Sequence, residues 1–234
     1  MPFQVPFHFV WLRESIADPI VNSPQRNPED DRKQADVDSI DFREECYRCF
    51  RAASVCICDQ VPTIANRTKV VVLQHHRELL HPIGTARIAR LGFQQQEVRV
   101  ARRHQKLAVT PYRKPKTALL FPHSQAKNLD QLAPEEYPQH LIVLDGTWAQ
   151  ASSMYRANSW LHAMPHLSIR PSQESNYRIR RQPKEGCLST IEALVQALRI
   201  LEPETQDLDD LLRVFDEMVD CQLKFLDASS EGSR

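Results

Sequence analysis

Residues His140 to Met154 read HLIVLDGTWAQASSM, and their interpretation decides the fold. Leu141 to Leu144 is an apolar run too short for a helix and rich in branched side chains, so it is read as a buried strand. Asp145 and Gly146 interrupt it, and Thr147 can cap a helix that carries Trp148, Ala151, Ser152 and Tyr155 on one face. In an open α/β sheet such a junction lies at the carboxyl end of a strand, where ligands bind, and the Asp145 carboxylate would enter that crevice. The plainer alternative is a simple turn at Asp145 and Gly146. In both readings Trp148 is expected in the core, fixing the direction of Asp145.

Working outward, Lys69 to Gln74 (KVVVLQ) is a second buried strand, followed by the loop HHRELLHP. A helix is expected from Ile83, with Gly92 as its stop. Further strands are expected at Glu97 to Ala101, Ala118 to Phe121 and His166 to Arg170, the last ended by Pro171. Ser172 to Gly186 reads as a long loop. Ser189, Thr190, Ile191 and Glu192 spell a capping box, with Ile191, Leu194, Val195 and Leu198 as the apolar stripe of the helix behind it. A last helix shows Leu211, Leu212, Phe215, Met218 and Val219 at the same spacing. Strands alternating with helices argue for a layered α/β domain.

At 234 residues and 41% hydrophobic, the chain can bury one substantial core. Residues 1–40 lack periodicity, and Asn22 to Asp38 has the composition of a solvated, disordered tail. The first 11 residues, MPFQVPFHFVW, have no basic leader, and no run is long enough to span a membrane, so a cytoplasmic protein without a membrane partner is expected. Cys46, Cys49, Cys56 and Cys58 form C-x2-C-x6-C-x-C, a spacing that can close a structural tetrahedral zinc site. This divides the remainder into a zinc module at 41–62 and a main domain at 63–228. His75, His76 and His81 share a loop with one carboxylate, Glu78, a thin donor set for a second metal. Cys187 and Cys221 read as ordinary thiols.

Thirty basic residues balance thirty acidic ones, yet the distribution is uneven. Arg99 to Lys116 (RVARRHQKLAVTPYRKPK) holds seven Lys or Arg and no acid, including Arg102, Arg103, Arg113 and Lys114. Arg170, Arg178, Arg180, Arg181 and Lys184 form a second cluster, with Tyr177 available for stacking. Basic loops interleaved with an aromatic suit phosphate contact and base stacking in structured RNA. The alternative is a solvated face balanced by acids elsewhere.

Several separated motifs carry a resemblance. Asp145-Gly146-Thr147-Trp148 is the D-x-T-W signature of the DTW domain family, tRNA-uridine aminocarboxypropyltransferases distantly related to knotted SPOUT RNA methyltransferases. The cysteine cluster is similar to that family's start, and Gln74, His75, Arg77 and Glu78 resemble its Q-H-P-x-E element, with His76 in place of proline. Asn176-Tyr177-Arg178 and Leu188-Ser189-Thr190-Ile191-Glu192-Ala193 resemble its tyrosine loop and its S-T-x-E-A helix start. Gly84-Thr85-Ala86 stands where N-T-G is usual. The likeness covers about residues 46 to 200.

The resemblance implies a SPOUT-like, knotted α/β sheet with helices on both faces, beside the small zinc module. It also implies transfer of the 3-amino-3-carboxypropyl group of S-adenosylmethionine to the imide nitrogen of a tRNA uridine, with release of methylthioadenosine. Asp145 is then the candidate catalytic base, or alternatively the ligand of the substrate ammonium. Thr85, Leu144, Thr147, Tyr177, Leu188, Ser189 and Thr190 are the implied cofactor pocket. An RNA methyltransferase using the same donor and a non-catalytic zinc-stabilised RNA-binding protein are the competing readings, and composition does not choose among the three.

Overall fold

A computed structural model describes residues 44–101, 107, 114–180 and 186–231. Contacts divide the chain into Met1–Phe42, which with the expected tail lies outside the described residues, and Arg43–Arg234, the unit described here. Its strands are β1 (Lys69–His75), β2 (Gln96–Ala101), β3 (Thr117–Leu120), β4 (Lys127–Asn128), β5 (His140–Asp145) and β6 (His166–Ser168). Its α-helices are α1 (Ala86–Gly92), α2 (Trp148–Ala157), α3 (Thr190–Leu201) and α4 (Leu208–Glu231). No helix among the described residues is long and apolar enough to cross a membrane.

The six strands form one parallel sheet in the order β2-β1-β5-β3-β6-β4. Parallel sheets are covered on both faces, which is why the central strands read as continuous apolar runs. Side-chain alternation divides those runs between two core layers. Val70, Val72, Leu141 and Val143 pack with Ile88 of α1, Leu194 of α3 and Phe215 of α4. Val71, Leu73 and Ile142 face the other way, toward Leu161 and the half-buried Tyr155 of α2. The chain leaves β1 through α1 toward β2, and leaves β5 through α2 toward β6. Departures on opposite faces mark the place where an open α/β sheet forms its crevice, here the carboxyl ends of β1 and β5.

Local expectations need adjustment, and the strands at β2 and β3 each begin one residue earlier than expected. Helix α1 begins at Ala86 rather than Ile83, with Thr85 as its N-cap residue. Strand β6 ends at Ser168, two residues before Arg170. Gly92 is the last helical residue rather than a left-handed stop, and its reason is close packing. A Cβ there would sit 2.7 Å from Leu211 Cδ1 and 3.3 Å from the Pro62 carbonyl oxygen. Because Leu211 is fully buried, Gly92→Ala must push α1 and α4 apart. The expected cost is about 1–3 kcal/mol, measured by urea unfolding.

Candidate active site

The parallel register pairs Lys69 with His140 and ends by pairing Gln74 with Asp145. Both polar side chains therefore emerge at the sheet's carboxyl edge on the face covered by α3. Asp145 is buried, and its two oxygens each receive a donor. Gln74 Nε2 donates to Oδ2 at 3.0 Å, and Thr190 Oγ1 donates to Oδ1 at 2.6 Å. Burial pushes the Asp145 carboxyl above its ordinary range, and the donors Thr190 and Gln74 offset only part of that rise.

The turn after β5 is built to hold this geometry. Thr147 and Gln150 form a capping box, the Thr147 amide donating to Gln150 Oε1 at 2.6 Å and the Gln150 amide to Thr147 Oγ1 at 3.2 Å. A Cβ at Gly146 would lie 2.9 Å from Gln150 Oε1, so the box requires glycine there. Trp148 corrects the core expectation, being 39% exposed. Helix α2 buries Ala151 and Met154 against the sheet, whereas its first residue lies beyond the sheet's carboxyl edge, with no layer to cover it.

A second polar pair borders the crevice. Arg180 donates to both oxygens of buried Glu78, at 2.9 and 3.2 Å, and the charges of both residues act on Asp145. The neighbouring wall hangs on Glu192, the capping-box residue of α3. Its carboxylate accepts from the Ser189 amide at 2.7 Å, the Ser175 hydroxyl at 2.7 Å and the Asn176 amide at 2.8 Å. Ser189 Oγ returns the cap by accepting from the Glu192 amide. The loop so held carries Tyr177, whose buried hydroxyl donates to the Ile83 carbonyl at 2.7 Å. Burial pushes that phenol up to about 12, so it remains a donor.

Of the expected pocket residues, Thr190 touches Asp145, and Tyr177 reaches Ile83, two residues before buried Thr85. Ser189 and Thr147 cap α3 and α2, while Leu188 is half-buried just ahead of Ser189. Leu144 packs its side chain into the opposite core layer. Among residues expected to meet RNA, Lys114 is exposed, Arg178 pairs with Asp220, and Arg180 is engaged with Glu78. Arg102, Arg103, Arg113 and Arg181 lie outside the described residues. Gln74 and Glu78 acquire site positions that pattern reading did not give them, and Arg180, expected at RNA, instead pairs with Glu78. A signal existed for Gln74: KVVVLQ and HLIVLD both end in a polar residue after four apolar ones.

Away from the crevice, Cys46, Cys49, Cys56 and Cys58 converge, with all four sulfur atoms within 4.8 Å of one another. The Cys46–Cys58 and Cys49–Cys56 sulfurs are each 3.7 Å apart. A tetrahedron with metal–sulfur bonds of about 2.3 Å has edges of about 3.8 Å, so this donor set fits a metal ion.

The DTW domain family model matches residues 43–223. The chain belongs to that family. A Macaca fascicularis protein called tRNA-uridine aminocarboxypropyltransferase 2 is 31% identical over 198 residues, 80% of this chain and 66% of its own length. The Drosophila melanogaster protein of that name is 31% identical over 197 residues, covering 80% of this chain and 78% of its own. An Arabidopsis thaliana tRNA-uridine aminocarboxypropyltransferase A is 28% identical over 222 residues, 79% of this chain and 83% of its own. No solved structure matches the chain.

The Asp145 environment has a consequence for stability. A carboxyl held above its ordinary 3.8 binds its proton more tightly folded than unfolded, so stability falls as pH rises from that value through the raised one. Asp145→Asn, which keeps the shape and loses the buried charge, should be more stable than the parent at pH 7. The difference should shrink toward pH 4, as read by denaturant unfolding at both values.

Proposed function

We propose that this chain is a tRNA-uridine aminocarboxypropyltransferase, moving the 3-amino-3-carboxypropyl group of S-adenosylmethionine to N3 of a tRNA uridine in the cytoplasm. The observation that carries the reading is the doubly held Asp145 of the D-x-T-W turn, in a chain aligned along four fifths of its length with relatives of that name.

The residues suit the chemistry. Uracil's imide is a poor nucleophile until its N3 proton leaves, and a carboxylate whose affinity for protons is raised by burial is a fitting acceptor. As N3 attacks the Cγ carbon, the N3–Cγ bond forms, the Cγ–S bond breaks with its electron pair going to sulfur, and the proton passes to Asp145. The sulfonium is already an activated leaving group, so methylthioadenosine departs without a Lewis acid. Gln74 and Thr190 keep the carboxylate aimed while it works. With Asp145 ionised, Asp145, Glu78 and Arg180 together carry one negative charge. That complements a donor bearing a sulfonium, an ammonium and a carboxylate.

The amino end of α3 at Ser189 and Thr190 draws the donor's carboxylate, as helix starts attract anions. Thr85, Thr147, Tyr177 and Leu188 complete the donor pocket, to which Leu144 contributes its backbone because its side chain enters the opposite core layer, and the exposed ring of Trp148 offers a stacking face to uracil. Arg102, Arg103, Arg113, Lys114, Arg178 and Arg181 meet tRNA phosphates. Zinc is the metal we assign to Cys46, Cys49, Cys56 and Cys58, which would bind it as a closed structural site that stabilises the fold. The topology we assign is the knotted SPOUT-like one, supported by the all-parallel sheet with helices on both faces and its crevice beyond β1 and β5.

Incubation with unmodified tRNA and S-adenosylmethionine, followed by nucleoside mass measurement, should show an added aminocarboxypropyl group. An added methyl group selects a methyltransferase instead, and tRNA binding without modification selects a binding module. Asp145→Asn should lower kcat by about 10²- to 10⁴-fold with donor affinity retained. Loss of donor affinity instead makes Asp145 the ammonium ligand.

A further inference from the structure

Two arginines behind the crevice have an unusual environment. Arg51 and Arg87 are 5% and 7% exposed, and neither has a carboxylate partner among the described residues. Arg51 Nε donates to the Val55 carbonyl at 3.0 Å and Arg87 Nη2 to the Leu79 carbonyl at 2.9 Å. Each leaves its Nη1 buried without a hydrogen-bond partner. A guanidinium keeps its proton in a protein, so two positive charges are withdrawn from water here. A buried charge is tolerated where an opposite charge meets it.

The groups that can offer one are thiols and, for Arg87, also the Asp145 carboxylate. Burial works against both charges; once ionised, Cys221, Cys49 and Cys56 favour that of Arg51, and Cys49 and Asp145 that of Arg87, against the repulsion of Arg90 and Arg51. Neutral thiols supply no compensation, whereas four thiolates around one divalent cation leave two negative charges, equal and opposite to the two guanidiniums. The surrounding contacts already join the two regions. Phe50, held at φ 53 between Cys49 and Arg51, lies 5.1 Å from Arg87 and 5.7 Å from Arg90 in cation–π geometry. Arg90 also donates to the Arg48 carbonyl.

We propose that Arg51 and Arg87 are the counter-ions of a zinc tetrathiolate at Cys46, Cys49, Cys56 and Cys58, so that metal loading and the seating of α1 are one electrostatic event. This rests on the zinc reading of the cluster. Because α1 starts directly after Thr85, the metal site then supports the wall of the crevice.

The test is zinc transfer from the loaded full-length chain to a chromogenic chelator. Arg51→Met and Arg87→Met should each speed transfer or weaken affinity about 10- to 100-fold, the range for partners just outside a metal's ligands. Arg51→Lys and Arg87→Lys, which keep the charge, should recover most of the loss, and Arg90→Met should stay close to the parent. Urea unfolding separates charge from packing. The Met variants should be less stable than the parent when loaded, yet at least as stable after zinc is stripped, because an uncompensated charge has gone. Equal losses in both forms, or unchanged zinc transfer, overturn the counter-ion role. A parent chain that takes up no zinc overturns the reading of the cluster itself.

Discussion

The pairing of β1 with β5 is the constraint on which the rest depends. Side chains alternate along a strand, so a one-residue slip would send Asp145 and Gln74 to opposite faces. Register is strongly specified here because both faces of both strands are buried. Val70 and Val72 must enter one core layer and Val71 and Leu73 the other, and β5 obeys the same alternation. The apolar packing of two helical layers thereby delivers a single polar contact, Gln74 to Asp145, at the edge where hydrophobic cover ends. Catalytic geometry in the proposed reaction is thus inherited from core packing.

The crevice concentrates charge where the fold would be more stable without it. Asp145 is withdrawn from water with two neutral donors as partial compensation, and Glu78 is tolerated because Arg180 meets both of its oxygens. Such arrangements stabilise poorly compared with apolar packing of similar volume. Their use lies in preorganisation: carboxylates and a guanidinium are held at defined positions before any substrate arrives. Arg51 and Arg87 extend the same economy of charge to the far side of α1, where sulfur replaces carboxylate as the counterpart.

Much of this was legible in the chain because the decisive elements repeat one grammar. KVVVLQ and HLIVLD are paired parallel runs that each place a polar side chain after four apolar ones at the sheet's carboxyl edge, and S-T-I-E writes its own cap. The cysteine spacing likewise carries its own geometry, since four sulfurs within 13 residues have few ways not to meet. Trp148 was misread because helical periodicity tells which residues share a face, but not where the sheet beneath that face stops. Strand β4 was invisible for a related reason: Lys127 and Asn128 are two polar residues paired to β6, and no apolar alternation marks them. Arg180 looked like one more member of a basic loop, because its partner Glu78 is 102 residues away and only tertiary folding joins them.

Glu192 has a significance beyond capping. One carboxylate simultaneously completes the first turn of α3 and fastens the Ser175–Tyr177 segment, which has no regular structure of its own. Thr190, two residues before it in that turn, is the one that holds Asp145. Loop wall and helix start therefore share one anchor, a carboxylate two residues from the threonine that aims Asp145.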